Sequence, residues 1–385
     1  MRAVPPRHWP LGLFGMLALV LSVEIWLGLR DSRFTTISPL QWIEAIHRVK
    51  LARGSAIVAM GDSLVSNGVI PEVIESHLGT GRSVYNLALG GGPFSVTYFL
   101  FRRLVESGPA PEAVVVDGQS LTSDARDLVM PRPWYVLHYR EIADLARTFQ
   151  DPAFFAENAT RKFIASLRHR ATIRSMLVAR VTGKEFTDPI HFWFFIWGWN
   201  QNKGSHVLTD RERNQISDPL KGDQSILDLF RGDWRCNQWE RGYVERFLTL
   251  AEAKHVRVYW LMMPDEPVIN ALRERDGWWS AYAGFLHDLQ SRHPNLIVID
   301  GHRANYPPEA MYDMLHLSRT GAIAFSDSLG SILAQDNNPS RWIELPRYES
   351  ERARVLAARS TVRDFKMLAR DLAEKNAGKP GTVRR

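Results

Sequence analysis

A serine attacks a carbonyl only when a base takes its proton and a carboxylate holds that base in the right tautomer. Gly61-Asp62-Ser63-Leu64 follows directly on the short apolar run Ser55–Met60. A serine placed there ends a strand and starts a helix, where backbone N–H groups gather and favour developing negative charge. The same residues would also serve as a plain helix cap. Of the twelve histidines, one has a suggestive setting. Asp313-Met314-Leu315-His316-Leu317-Ser318 precedes an apolar helix expected over Gly321–Ala334. A carboxylate three residues before a histidine can hold the ring nitrogen that faces away from a serine. Taken together, Ser63 as nucleophile, His316 as base and Asp313 as its orienting partner would carry out acyl transfer.

These residues need elements to hold them. Five apolar runs read as buried strands: Ser55–Met60, Val84–Leu89, Ala113–Val116, Val256–Met263 and Leu296–Asp300. Helical spacing appears over Asn67–Leu78, Phe94–Glu106, Trp239–Lys254 and Trp278–His293. Apolar strands alternating with amphipathic helices predict an α/β fold, with a parallel sheet of about five strands covered on both faces. Ligands of such sheets bind at the carboxyl ends of the strands. The serine and histidine motifs both fall there. Between the third and fourth strands, a large insertion over about 121–238 breaks the rhythm. It contains the aromatic run His191–Asn200, expected to be buried as the core of an inserted subdomain.

The chain has 385 residues, of which 45% are hydrophobic and 23% charged. That excludes wholesale disorder and a multi-span membrane protein. The single cysteine, Cys236, excludes an internal disulfide framework and a cysteine zinc cluster. Net charge is +6, but residues 351–385 alone hold ten Lys/Arg and four Asp/Glu, or +6, so the rest is neutral. The basicity is therefore a terminal appendage, not the basic face of a nucleic-acid domain. Leu11–Leu29 is an almost unbroken apolar run of about the length a spanning helix needs. It reads as an uncleaved anchor with a cytoplasmic N-terminus and an exported C-terminal domain. Glu24 within the run would mark a partner helix or reach the interface. Three domains are expected: an anchor over 1–33, a main domain over 34–345 and a tail over 346–385. In the tail, Glu351–Lys375 shows 3–4 apolar spacing and predicts one amphipathic helix, with disorder after Asn376.

Gly61-Asp62-Ser63-Leu64 and Asp313-Met314-Leu315-His316 resemble the first and last blocks of the SGNH, or GDSL-type, hydrolases. The resemblance implies a flavodoxin-like three-layer α/β/α sandwich, with Ser63, His316 and Asp313 as the catalytic residues. It also implies an oxyanion hole formed by the N–H groups of Ser63 and of a glycine in Asn86–Gly92. Gly91 is the first choice there, with Gly90 and Gly92 as alternatives. The family's third block often supplies an asparagine donor. This chain has Asp117-Gly118-Gln119-Ser120 instead, so either Gln119 or Ser120 donates or the site has only backbone donors. That departure resembles the exported, membrane-anchored branch, which includes O-acetyltransferases acting on cell-surface polysaccharides. A carbohydrate substrate and a multi-span membrane acyltransferase partner are implied on the same ground. The other reading is a catalytically weak scaffold that binds polysaccharide in a membrane synthesis complex. Asp62 is expected to brace its turn, and Asp265 and Glu266 could line the pocket. His293 and His302 are expected at the surface, and His255 in no special role. No phosphate loop, dinucleotide fingerprint or metal-ligand spacing is found, so neither a cofactor nor a metal is expected.

Overall fold

The computed structural model describes residues 11–30, 34, 37–122, 133–183, 191–210, 232, 234–335 and 340–377. Along the chain, α1 (Leu11–Gly28) and α2 (Ile37–Ala52) precede β1 (Ile57–Met60), α3 (Ser63–Gly68), α4 (Pro71–Glu75), β2 (Val84–Asn86), α5 (Phe94–Glu106) and β3 (Ala113–Asp117). Five helices follow: α6 (Pro133–Val136), α7 (Tyr139–Phe149), α8 (Pro152–Phe163), α9 (Ala165–Arg168) and α10 (Arg170–Thr182). The aromatic run forms α11 (His191–Gln201). Then come α12 (Gln238–Ala253), β4 (Arg257–Met262), α13 (Pro267–Arg275), α14 (Trp278–Arg292), β5 (Leu296–Asp300), α15 (Arg319–Leu333) and β6 (Trp342–Glu344). The chain closes with α16 (Ser350–Arg359) and α17 (Phe365–Ala377). Two compact units result, Met1–Ile43 with Arg132–Phe192, and Glu44–Pro131 with Trp193–Arg385.

The larger unit holds a six-stranded sheet in the order β2-β1-β3-β4-β5-β6, and every pairing is parallel. The five expected strands form its first five positions. The sixth, three residues long and only half-buried, carries no apolar run. Alternate side chains serve the two faces, as strand geometry requires. Ile57, Ala59, Val115, Tyr259, Leu261 and Ile299 meet α3, α4 and α15 in one core. On the other face Phe94 stacks on Trp260 at 5.4 Å and meets Phe247 edge-on at 5.3 Å, bringing in α5 and α12. The order reverses between β1 and β3, and in open sheets of this kind ligands bind at the carboxyl ends of the strands at such a point.

Two expected helices are broken. The one over Asn67–Leu78 is α3 and α4, because Pro71 holds Ile70 extended (φ −108°, ψ 106°). The tail helix is α16 and α17. Arg319 is buried, and its guanidinium donates to Ala357 O, Ser360 O and Val362 O. These carbonyls lie at and beyond the end of α16, so Arg319 stabilises the break. Val362 and Leu368 are buried, so the tail packs on this unit. The disorder expected after Asn376 falls mostly on residues outside those described.

In the smaller unit, α7 and α8 form a hairpin around Ile142, Leu145 and Phe149. Asp151 caps α8, accepting from Phe154 N at 3.0 Å. α1 packs on α9, and the Glu24 carboxylate accepts from Ser166 N at 2.9 Å. Glu24 thus has a protein partner. The expectation of a spanning helix is not met: among the described residues no helix is long and apolar enough to cross a membrane.

Candidate active site

β1 ends at Met60, and the chain must turn sharply to start α3 at Ser63. Gly61 makes that turn at φ 138°, where a Cβ would collide with the Asp117 carboxylate. Only glycine suits this position. Asp62 then caps α3, its carboxylate accepting from Leu64 N at 2.8 Å. This is the bracing role expected of it. As the first residue of α3, Ser63 has an N–H with no acceptor inside the helix.

The structure brings Ser63, His316 and Asp313 together across 253 residues of sequence. His316 Nε2 lies 2.8 Å from Ser63 Oγ, and His316 Nδ1 lies 2.7 Å from Asp313 Oδ2. The other Asp313 oxygen accepts from the N–H groups of Leu315 and His316, each at 2.8 Å. Burial raises the Asp313 carboxyl, but its bonds to His316 and the two backbone donors outweigh that and hold it below the usual range. For His316, burial pushes the imidazole down, while the bond and charge of Asp313, with Asp62 behind, raise it above its ordinary value overall. A serine hydroxyl, a ring nitrogen and a half-buried carboxylate in this chain of bonds can pass a proton from Oγ to Nε2 as the oxygen attacks.

The loop after β2 lies beside the serine. Leu87 N donates to Ala59 O at 2.7 Å and Leu89 N to Gly61 O at 2.9 Å, extending the ladder past the strand. Gly92 N then bonds Leu89 O at 2.8 Å, closing a turn with Gly91 at φ 67°. Gly91 is exposed at the tip, while Gly90 is half-buried and Gly92 buried. Asn86 anchors the loop to α3. Its amide nitrogen donates to Val65 O and Val69 O at 2.9 and 2.8 Å, and its oxygen accepts from Ala88 N.

Gln119 is held elsewhere. Its oxygen accepts from Met263 N at 2.9 Å, and its nitrogen makes a long 3.5 Å bond to Asp265. Ser120 is the second residue of the short helical turn Gln119–Thr122. Asp265 is buried against Arg273, whose guanidinium lies 4.0 Å from the centre of the Trp278 ring. Glu266 caps α13, accepting from Val268 N at 2.8 Å. Both acids therefore have structural partners. His293 and His302 are buried, not at the surface. His302 bonds Asp300 and stacks on Trp279 at 4.8 Å, and His293 pairs with Glu245 at 3.1 Å. His255 is exposed with φ 57°.

Four residues of this region escape a reading of the sequence. Asp117 ends β3 and accepts from Asp62 N at 3.3 Å. Burial first, and the Asp62 charge second, push its carboxyl well above the usual range. A lone acid closing the apolar run Ala113–Val116 was the available signal. Arg48 is buried behind the loop, donating to Asn86 O at 2.6 Å and Gly204 O at 2.8 Å. Glu240 accepts from Ser95 N and Oγ at 3.0 and 3.1 Å, fixing the start of α5 after the glycines. His206 N donates to Ser66 O at 2.9 Å, and its ring meets the Phe365 edge at 4.2 Å. Burial, then the His316 and Arg48 charges, press the His206 imidazole down to about 4, so it is neutral beside the site. In α11, Trp199 is buried and Trp197 half-buried, in keeping with the core role expected of that part of the run. The side chains of residues 191–195 lie outside the described residues.

Among the described residues no group of three or more His, Cys, Asp or Glu could hold a metal ion. No protein-family model matches the chain, and no curated protein matches it.

Proposed function

We propose that the chain is a serine-dependent ester hydrolase or O-acyltransferase of the SGNH type. The observation that carries the reading is the continuous bond path from Ser63 Oγ through His316 to Asp313. The strand order agrees with it, since 2-1-3-4-5 is the flavodoxin-like arrangement and Ser63 follows β1 at the switch point. In this mechanism Ser63 Oγ attacks the acyl carbonyl while His316 Nε2 takes its proton. Asp313 stabilises the imidazolium that forms. The N–H groups of Ser63 and Gly91 receive the oxyanion. His316 then returns the proton to the leaving oxygen, and water or a sugar hydroxyl repeats the sequence in reverse on the acyl-enzyme. The acyl group is acetyl and the acceptor a cell-envelope or exported carbohydrate, both on the resemblance to the membrane-anchored branch. A multi-span membrane acyltransferase as acyl supplier, and attachment through α1 with the larger unit exported, belong to the same proposal.

The scaffold reading has one observation in its favour. Gln119 is occupied by Met263 and Asp265, so the third oxyanion donor is not a freely offered side chain. Losing one such donor costs about 10²–10³ in rate. The test is labelling of the full-length protein by a serine-reactive phosphonate. An acyl-transfer enzyme is labelled, and the label disappears in Ser63→Ala. Absence of Ser63-dependent label on folded protein would leave the scaffold.

A further inference from the structure

The smaller unit leaves an apolar surface uncovered, and that surface is basic. In α10, no residue is buried. Leu177, Val178 and Val181 are 59%, 51% and 86% exposed, and Phe163 at the end of α8 is 77% exposed. The half-buried Thr172, Ile173, Met176 and Ala179 of α10 share one side, so the opposite side, with Leu177, Val178 and Val181, is the one left open to a partner. Residues 152–182 hold six cations (Arg161, Lys162, Arg168, Arg170, Arg174, Arg180) and one acid (Glu157), a balance of +5. The 4-3-4 spacing of Arg170, Arg174, Leu177 and Val181 puts cations and apolar side chains along one side of α10. Such a mixed stripe is poor for a protein core, which would bury the guanidinium groups. It suits the edge of a bilayer, where apolar tips enter the acyl region and arginines reach back to the phosphates.

The position of this surface within the unit agrees. α9, between α8 and α10, is joined to the C-terminal end of α1 through Glu24 and Ser166. Gly28 of α1 lies against Ala165 and Arg168. Trp26 carries Arg30 over its ring at 4.7 Å, the kind of aromatic and basic pair that sits at a membrane–water interface. α1 itself exposes Leu13, Met16, Leu19 and Ile25.

We infer that α8–α10 forms a second lipid-contacting element, lying on an anionic membrane surface with Phe163, Leu177 and Val181 inserted and Arg170, Arg174 and Arg180 on lipid phosphates. This goes beyond attachment by α1 and does not depend on chemistry at Ser63.

The test uses full-length protein in vesicles of phosphatidylethanolamine and phosphatidylglycerol. Cys236 is replaced by serine, and a single cysteine at position 163, 181, 19 or 252 carries a fluorophore quenched by nitroxide-labelled lipid. Position 252, on exposed Glu252 of the larger unit, is the aqueous reference. Labels at 163 and 181 are expected to be quenched about twofold or more above that reference. Arg170→Glu, Arg174→Glu and Arg180→Glu together should remove most of the difference. If labels at 163 and 181 match the reference while the label at 19 is quenched, the inference fails and attachment by α1 stands. If 163 and 181 are quenched and 19 is not, the inference holds and α1 is not the anchor. Protection of 163 and 181 that follows protein concentration without lipid would assign the surface to a second copy of the chain and overturn the inference.

Discussion

Replacing Asp313 by asparagine tests the mechanism without removing any residue that forms a covalent bond. Asp313 accepts three bonds, one from His316 Nδ1 at 2.7 Å and two from backbone N–H groups at 2.8 Å. An asparagine oxygen can keep the two backbone bonds, so the loop should fold as before. Its amide nitrogen, however, donates where the carboxylate accepted. His316 Nδ1 must then accept, which puts the ring proton on Nε2, facing Ser63. The imidazole becomes a donor to Oγ and cannot take its proton. A carboxylate-to-amide change of this kind costs about 10⁴ in rate, or about 5 kcal/mol of barrier. The pH profile should move as well. In the native protein Asp313 holds His316 above its ordinary value despite burial. Attack needs the neutral ring, so phosphonate labelling should rise with pH through that raised value and then level off. With asparagine the pull of the Asp313 carboxylate is gone and burial is opposed only by the Asp62 charge, so the inflection should fall below its native position. The assay is the labelling rate of Ser63 from pH 5 to 9, which needs no knowledge of the natural acceptor. A loss of less than about tenfold, or an inflection that does not move, would refute the role assigned to Asp313.

Three further outcomes are expected. Asp117→Asn should stabilise the protein near neutral pH by roughly 1 kcal/mol, since the amide replaces a carboxyl whose charged form folding disfavours. With its folded value raised, this carboxyl opposes folding increasingly as pH rises above the ordinary carboxylate range; urea midpoints at pH 5 and 8 should therefore show a gain that grows with pH. Arg48→Met should cost about 3 kcal/mol in the same measurement, because Asn86 O and Gly204 O lose their buried donor, and should slow labelling by loosening the loop that carries Gly91. An unchanged midpoint would remove Arg48 from this account. Gly61→Ala should fail to accumulate as folded protein or lose several kcal/mol, because a Cβ there meets the Asp117 carboxylate at a φ that favours glycine; a normal circular dichroism melt would contradict that packing.

Much of the sheet was legible because β1, β3, β4 and β5 are apolar runs that only a doubly covered sheet can bury. β6 was not, since a half-buried edge strand of three residues leaves no pattern. Helix spacing alone hid two breaks, one made by Pro71 and one stabilised by Arg319 from 38 or more residues away. Within the site, Ser63, His316 and Asp313 could be singled out because each stands in a short local motif. Arg48, Glu240 and His206 could not. Glu240 meets Ser95 across 145 residues of chain, and no local spacing announces such a contact. His293 and His302 looked like surface residues because their neighbours in sequence are polar, whereas Glu245, Glu274 and Asp300 let them be buried. The apolar run Leu11–Leu29 was legible from its composition, and α1 covers it to Gly28; the bond from Ser166 to Glu24 was not, because it joins residues 142 apart in sequence.

The most direct measurement of the central claim is mass spectrometry of the full-length protein after brief exposure to a chromogenic acetyl ester, with Ser63→Ala, His316→Ala and the double variant alongside. An acyl-transfer enzyme predicts one acetyl group on the peptide containing Ser63. It also predicts loss of ester turnover in each single variant and no further loss in the double, because the two residues act as a unit. Acetyl on another residue, turnover that survives Ser63→Ala, or losses that multiply in the double variant would contradict it.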